Sequence, residues 1–191
     1  MKKKLFAEVL LAVLVLSGCG QSTAASGQTA TEEEAARPGA AELEFVENGV
    51  IQTTPATLYL GEGYSVYIPD TGWKLEQELD DGVPEDTWES TADPDAKLTV
   101  SRYSNAKPAG AITAFLEQHD DYAFEELRSG EVAKEPLTGV DEDGDVLEFV
   151  TRENDTGTYM ISWEYPSGAE TLASQLEQMA GTFVLAQPVL N

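Results

Sequence analysis

The sequence predicts an α+β domain, a mostly antiparallel β-sheet packed with at least two α-helices. Three observations carry this. Apolar residues alternate with polar ones over short runs bounded by Gly, Pro and Asp, as half-buried strands require. Two other runs repeat apolar residues at the three-to-four spacing of a helix. The chain has 191 residues, 41% of them hydrophobic, which is room for one ordinary core plus extensions.

Residues 57–60 and 64–68 flank Gly61, Glu62 and Gly63, a three-residue connection with the glycines a tight hairpin favours. In the second of these strands Tyr64, Val66 and Ile68 share one face, and Ser65 and Tyr67 take the other. After Pro69, Asp70, Thr71 and Gly72, residues 73–79 predict a third strand. Strands over 86–91 and 97–103 follow, joined by a turn carrying Asp93, Pro94 and Asp95. Ile112, Phe115 and Leu116 make the stripe of a first helix that starts after Pro108 and ends near His119.

Residues 122–128, with Tyr122, Phe124 and Leu127, fit either a short helical turn or a strand. The clearest strands are 146–152 and 158–165, connected through 153–157. Tyr159, Ile161, Trp163 and Tyr165 are expected on the sheet face under the helices, with Thr158, Met160, Ser162 and Glu164 on an outer face. Ser167 and Glu170 predict a capping box for a last helix whose apolar stripe is Leu172, Leu176, Met179 and Phe183. Gly181 suits its C-cap, 182–186 can return as a final strand, and Pro188 disfavours continuation. Residues 42–55, including Phe45, Val46, Val50 and Ile51, fit an extra strand or an ordered arm.

Ahead of the domain, Lys2, Lys3 and Lys4 give a positive start and an apolar run covers 9–16, bordered by Glu8. Ser17 and Gly18 then stand just before Cys19, the layout of a secretory signal. The apolar run is too short to span a bilayer. Leu16, Ser17, Gly18 and Cys19 resemble a bacterial lipobox, in which the Cys sulfur receives a diacylglyceryl group and cleavage leaves that Cys as the new N-terminus. An ordinary signal peptide followed by an incidental Cys is the alternative. The resemblance implies that residues 1–18 are removed, which takes away three Lys and one Glu and moves the net charge from -24 to -26.

Residues 20–41 are Gln, Ser, Thr, Ala and Gly with a run of Glu32, Glu33 and Glu34, and lack both apolar periodicity and an aromatic residue. They read as a flexible acidic tether with a root-mean-square reach of about 27 Å. The expected organisation is a signal peptide over 1–18, a lipidated Cys and linker over 19–41, and one domain over 42–191 with its core at about 57–186. The expected location is the outer face of the cytoplasmic membrane, or an outer membrane, with the protein anchored and not spanning.

The succession of a hairpin ending in a Pro and a Trp, further strands, a helix, two long strands, a helix and a last strand resembles the PsbP-like superfamily of small α/β sandwiches. It rests on residues 64–73 (YSVYIPDTGW), 146–165 and 170–185, and covers 57–186. Members include photosystem accessory proteins and bacterial lipoproteins. The resemblance implies a fold and an accessory or binding habit, and it carries over neither a reaction nor binding residues.

Thirty-five acidic residues against 11 basic ones repel nucleic-acid phosphates and anionic headgroups. One Cys and one His supply neither a disulfide framework nor a cysteine or multi-histidine metal centre. The sequence holds no Gly-x-Ser-x-Gly turn and no glycine-rich nucleotide loop. His119, flanked by Asp120 and Asp121, reads as a surface residue. With this many acids some carboxylate pair always exists, so a pair argues for hydrolysis only inside a cleft.

Asp141, Asp143 and Asp145 alternate through an acidic loop of the kind hard cations prefer. The loop departs from the helix-loop-helix calcium motif, with Gly144 at its fourth position and Arg152 at its twelfth, and it equally fits a solvated turn into Val146. Asp80, Asp81, Glu85 and Asp86 form a second acidic loop with the same two readings. Trp88, in a short polar strand, is expected to be exposed and is the candidate partner-binding ring, whereas Trp73 and Trp163 are assigned to packing.

These observations predict a non-catalytic binding or accessory module that meets the membrane through its anchor and an envelope or membrane protein through its domain. A small-ligand or divalent-cation-binding lipoprotein is the alternative, and a carboxylate-dependent envelope hydrolase stands lowest. No cofactor is expected, and the sequence sets no oligomeric state.

Overall fold

Antiparallel hairpins build most of the domain. A computed structural model of the chain describes residues 37–124 and 133–186. The chain divides into two units, Met1–Glu33 and Glu34–Asn191, and every described residue belongs to the second. The expected signal peptide, Cys19, the linker as far as residue 36, residues 125–128 and Pro188 lie outside the described residues.

In chain order the elements are β1 (Ala40–Glu47), β2 (Val50–Gly61), β3 (Tyr64–Pro69), β4 (Trp73–Asp80), β5 (Val83–Ser90), β6 (Lys97–Ser104), α1 (Pro108–Gln118), β7 (Ala123–Phe124), β8 (Leu137–Val140), β9 (Val146–Asn154), β10 (Gly157–Tyr165), α2 (Glu170–Gly181) and β11 (Val184–Leu185). They form a four-stranded sheet in the order β1-β2-β3-β11 and a seven-stranded sheet in the order β4-β5-β6-β10-β9-β8-β7. Every described strand pair is antiparallel. The α+β expectation holds, with more sheet than the sequence led us to expect. Among the described residues no helix is long and apolar enough to cross a membrane.

The larger sheet is covered on both faces. On one, Trp88, Leu98, Val100, Ile161 and Trp163 pack with Tyr64 and Val66 of the small sheet and with Leu176 and Met179 of α2. On the other, Leu147, Phe149 and Met160 meet Ile112 and Phe115 of α1. This corrects the outer face expected for β10: Thr158, Met160 and Ser162 are buried, because α1 lies over that side of the strand. A strand buried on both faces loses the clean contrast between its two sides.

The unassigned stretch 42–55 is β-structure, one hairpin in which Glu47 pairs with Val50. Residues 37–41, which composition assigns to the expected tether, belong to the domain, with β1 starting at Ala40. Arg37 donates through Nη1 to the Ser65 carbonyl at 3.0 Å and to Ser65 Oγ at 2.8 Å, and through Nη2 to the Thr182 carbonyl at 2.7 Å. Its guanidinium carbon stands 4.4 Å from the Tyr67 ring centroid. These contacts reach 28 and 145 positions along the chain, so no local pattern around Arg37 announces them.

Turn and cap chemistry differ from expectation in three places. Gly61 pairs with Tyr64, leaving Glu62 and Gly63 as a two-residue turn in which Gly63 has φ +82°. The capping box does not form: α2 starts from Ala169 without a side-chain cap, and the Ser167 amide donates instead to Asp145 Oδ1 at 3.1 Å. Gly181 is the last helical residue, and Thr182 is the C-cap, its hydroxyl donating to the Met179 carbonyl at 2.7 Å and accepting from the Tyr67 amide at 2.9 Å. Of the ambiguous 122–128 run, Ala123 and Phe124 form the strand β7.

Candidate functional site

Strand alternation sends neighbouring residues of β4, β5 and β6 to opposite faces of the large sheet. The cross-strand pairs Leu75↔Trp88↔Leu98 and Gln77↔Asp86↔Val100 lie on the face toward the small sheet. Glu78↔Glu85↔Ser101 and Glu76↔Thr87↔Thr99 lie on the other. Each face carries its own concavity.

On the first face, a cleft of about 600 Å³ opens between the β2–β3 turn and β4, β5 and β6. That volume lies inside the range of roughly 300 to 1,000 Å³ typical of small-molecule sites. Its walls carry Tyr59 and Leu60 of β2, Tyr64 of β3, Leu79 of β4, Pro84 of β5 and Val100 of β6. Leu60 and Leu79 at the rim are 73% and 68% exposed, although aliphatic side chains gain most from burial.

The polar groups of the cleft are tied to one another. Tyr64 donates its hydroxyl to Asp86, and Gln77 Nε2 donates to Asp86 Oδ1 at 2.6 Å and to the Tyr59 hydroxyl at 3.1 Å. Burial, reinforced by Asp86, pushes the Tyr59 phenol up to about 12 and raises Tyr64 further. Both hydroxyls therefore stay protonated at neutral pH. Arg102 also lines the cleft, ion-paired with Glu62, and its Nε is buried without a hydrogen-bond partner among the described residues. The cleft thus offers aromatic and aliphatic walls with carboxylate, amide and guanidinium groups set among them, which suits a ligand having an apolar body and a hydrogen-bonding group.

Trp88 requires a correction. It is 3% exposed, pairs with Leu75 and Leu98, and meets Tyr59 edge to face at 4.9 Å between ring centroids. Its strand reads as polar because Glu85, Thr87 and Glu89 face the other way, and the indole is on the core side. It supports the cleft from behind and offers no ring to a partner.

The acidic loop before β9 is a turn. Asp141 Oδ1 accepts the amides of Asp143 at 2.9 Å and Asp145 at 2.8 Å, and Asp145 Oδ1 accepts from Ser167, which fixes the approach to α2. Asp141, Asp143 and Asp145 do not converge as a ligand set, and among the described residues no three His, Cys, Asp or Glu side chains do. The second acidic loop is likewise resolved into other structure. Asp81 and Gly82 make a two-residue turn, while Glu85 and Asp86 lie in β5 on opposite faces. Cys19 lies outside the described residues.

His119 is half-buried and is not the surface residue its neighbours suggest. Its ring stacks on Phe115 at 4.2 Å, and its Nδ1 lies 2.9 Å from the Phe115 carbonyl, which calls for the proton on Nδ1. Sequence reasoning missed Tyr59, Tyr64, Leu60 and Leu79 as a group. They come from three strands separated by turns, and only the stacking of the two sheets joins them.

No protein-family model matches the chain, and no curated protein matches it. Among solved structures, one from Bacteroides thetaiotaomicron VPI-5482 aligns at a TM-score of 0.40 and 14% identity, over 66% of this chain and 46% of that one. The chain therefore spans less than half the length of that protein, and a likeness of this degree carries no argument about function.

Proposed function

We propose that this chain is an exported, lipid-anchored binding module that holds a partner or ligand in the cleft between its two sheets. The observation that carries the reading is the cleft itself, where exposed Leu60 and Leu79 frame the buried phenol of Tyr64 and the unsatisfied Nε of Arg102. The anchor rests on the lysine-rich start, the apolar run and Cys19. The order of hairpin, strands, helix, two long strands, helix and strand supports the finer PsbP-like assignment and, with it, an accessory role. Among the described residues β4 is the edge strand beside the cleft, so an extended segment of a membrane or envelope protein has both a strand edge and apolar pockets to engage. A small amphipathic ligand is the alternative occupant.

The test replaces both rim residues, Leu60→Asp with Leu79→Asp, in the full-length lipidated protein. Both side chains are mostly exposed, so the thermal midpoint is expected to move by no more than a few degrees. Chemical crosslinking and affinity capture from the native membrane are expected to recover one near-stoichiometric species with the natural protein and at least tenfold less with the variant. Equal recovery with both proteins would remove the cleft from the proposal.

A further inference from the structure

The cleft between the sheets is bordered by a strand edge, and we infer that β4 is completed by an extended segment of a partner protein in which apolar and basic side chains alternate. The inference rests on the reading of the cleft as a binding site and names the character of its occupant. β4 ends the large sheet, and among the described residues it pairs only with β5. An edge strand presents a row of unpaired N–H and C=O groups, which is a template for another chain.

The other sheet edges are short or covered. β7 and β11 are two residues long. β1 lies against α2, and the Val46 amide donates to Ser174 Oγ at 2.8 Å. β4 differs on both counts. It runs for eight residues in unbroken register, from Trp73↔Ser90 to Asp80↔Val83, with neither a Pro nor a bulge, and every residue after Trp73 is exposed. Of the devices that protect an edge, it carries one Lys, Lys74.

Register fixes which backbone groups the edge offers. Asp80 and Val83 close the two-residue turn of Asp81 and Gly82, and the pair that flanks such a turn exchanges hydrogen bonds. Bonded and non-bonded pairs then alternate along an antiparallel ladder. Glu76 and Glu78 therefore bond toward β5, whereas the N–H and C=O groups of Leu75, Gln77 and Leu79 point out of the sheet.

Side chains follow the same alternation. Leu75, Gln77 and Leu79 stand on the cleft face, and Lys74, Glu76, Glu78 and Asp80 stand on the other. Residues directly opposite on a paired strand share a face, so an added strand sets one row of side chains beside Leu75 and Leu79 and the alternate row beside the acids. Apolar side chains in the first row extend the wall that exposed Leu79 and Leu60 begin.

Charge selects the second row. Lys74 is ion-paired with Glu76 and lies opposite Glu89 of β5. Nearer the turn, Glu78 and Asp80 make no ion pair among the described residues. Glu78 is directly across from Glu85, and like charges so placed repel. Asp80 accepts from Gln118 Nε2 at 3.3 Å. Burial raises the Glu85 carboxyl above the ordinary Glu range, Asp80 and Glu78 add to the rise, and Ser101 and His119 oppose it. Lys or Arg opposite Glu78 and Asp80 relieves this repulsion, and Asp or Glu there adds to it. A second copy of the chain fits less well, because self-pairing centred on Gln77, which matches Leu75 with Leu79, also sets Glu76 against Glu78.

The probe is acetyl-Lys-Val-Lys-Val-Lys-Val-Lys-amide, whose palindromic order fits either strand direction, added to the full-length protein at constant ionic strength. Calorimetry is expected to show saturable one-to-one binding, and amide hydrogen exchange read by NMR is expected to slow at least tenfold at Leu75, Gln77 and Leu79. The same peptide with Glu in place of Lys, and one of the same composition with its Lys and Val in separate blocks, are each expected to bind at least tenfold more weakly. Leu75→Pro removes an outward N–H at a position that does not line the cleft, and Glu78→Lys with Asp80→Lys reverses the charge at two exposed positions. Each is expected to weaken binding at least tenfold, whereas Glu42→Lys with Glu44→Lys, the same charge change on exposed positions of β1, leaves it within twofold. Binding that leaves exchange at the three amides unchanged, or equal binding of the acidic or block peptide, would overturn the inference. Exchange that slows at these amides with protein concentration alone would assign the edge to a second copy and overturn it as well. Capture from the native membrane that survives Leu75→Pro but is lost with Leu60→Asp and Leu79→Asp would overturn the strand pairing and leave the cleft standing as the binding site.

Discussion

Cys19→Ser is expected to abolish incorporation of labelled palmitate completely and to leave the precursor uncut, 18 residues longer than the natural product. The reason is chemical. Lipid transfer at a lipobox forms a thioether on a Cys sulfur, and Cys19 is the only Cys in the chain. A serine hydroxyl is a far poorer nucleophile, and cleavage that waits for the lipid then does not follow. The consequence for anchoring is large because each buried methylene contributes about 0.8 kcal/mol, so that two acyl chains hold stably where one is marginal. Metabolic labelling followed by mass measurement of the product reads both effects. Label retained on the Ser variant, or a natural product whose N-terminus is not Cys19, would show that the segment is an ordinary secretory signal.

The second large effect is on the fold itself, at Gly157. This residue opens β10 with φ +153°, and a Cβ there would overlap the Tyr103 carbonyl oxygen and stand 3.0 Å from the Asn105 amide nitrogen. Those neighbours are backbone, held by the pairing of Gly157 with Ser104 and by the Asn105 amide donating to the Thr156 carbonyl at 2.9 Å. They have no rotamer to change. Gly157→Ala must therefore displace β6 from β10 at the centre of the large sheet, at a cost of about 2–5 kcal/mol from strain and overpacking together. For a chain of this length that lowers the thermal midpoint by about 5–15 °C. Gly110→Ala serves as the contrast, since Gly110 is an exposed residue of α1 and a Cβ added to it would meet nothing within 4 Å. It is expected to raise stability by about 0.5–1 kcal/mol. Calorimetry that found the two variants equally stable would contradict the packing described at the β6–β10 junction.

Much of the fold was legible because strands declare themselves through local alternation. The hairpin of β9 and β10, the pair β5 and β6, and the limits of α1 at Pro108 and near His119 all follow from residues within a few positions of one another. What failed depended on distant partners. Ser167 and Glu170 have the spacing of a capping box, yet Asp145, 22 positions away, takes the Ser167 amide. Arg37 sits in linker-like sequence and is held by Ser65, Tyr67 and Thr182.

The same division governs the candidate sites. The alternation Glu85, Thr87, Glu89 against Lys97, Thr99, Ser101 was readable as one polar sheet face. That Trp88 lies on the opposite face follows from the same alternation, but strand polarity taken as an average conceals it. The cleft had no such signal, because its walls belong to two sheets and their separation is a tertiary property. Acidic loops had the reverse fault. They looked chemical in sequence, and the backbone amides of their own turn occupy the Asp141 carboxylate.

The most direct measurement of the proposed binding function is site-specific photocrosslinking in the native membrane. A photoreactive residue replaces Leu79 at the cleft in one strain and Thr113, exposed on α1, in another. Binding in the cleft predicts one discrete adduct from position 79 and none from position 113, the added mass separating a protein partner from a small ligand. Identical adducts from both positions, or none from position 79, would contradict it.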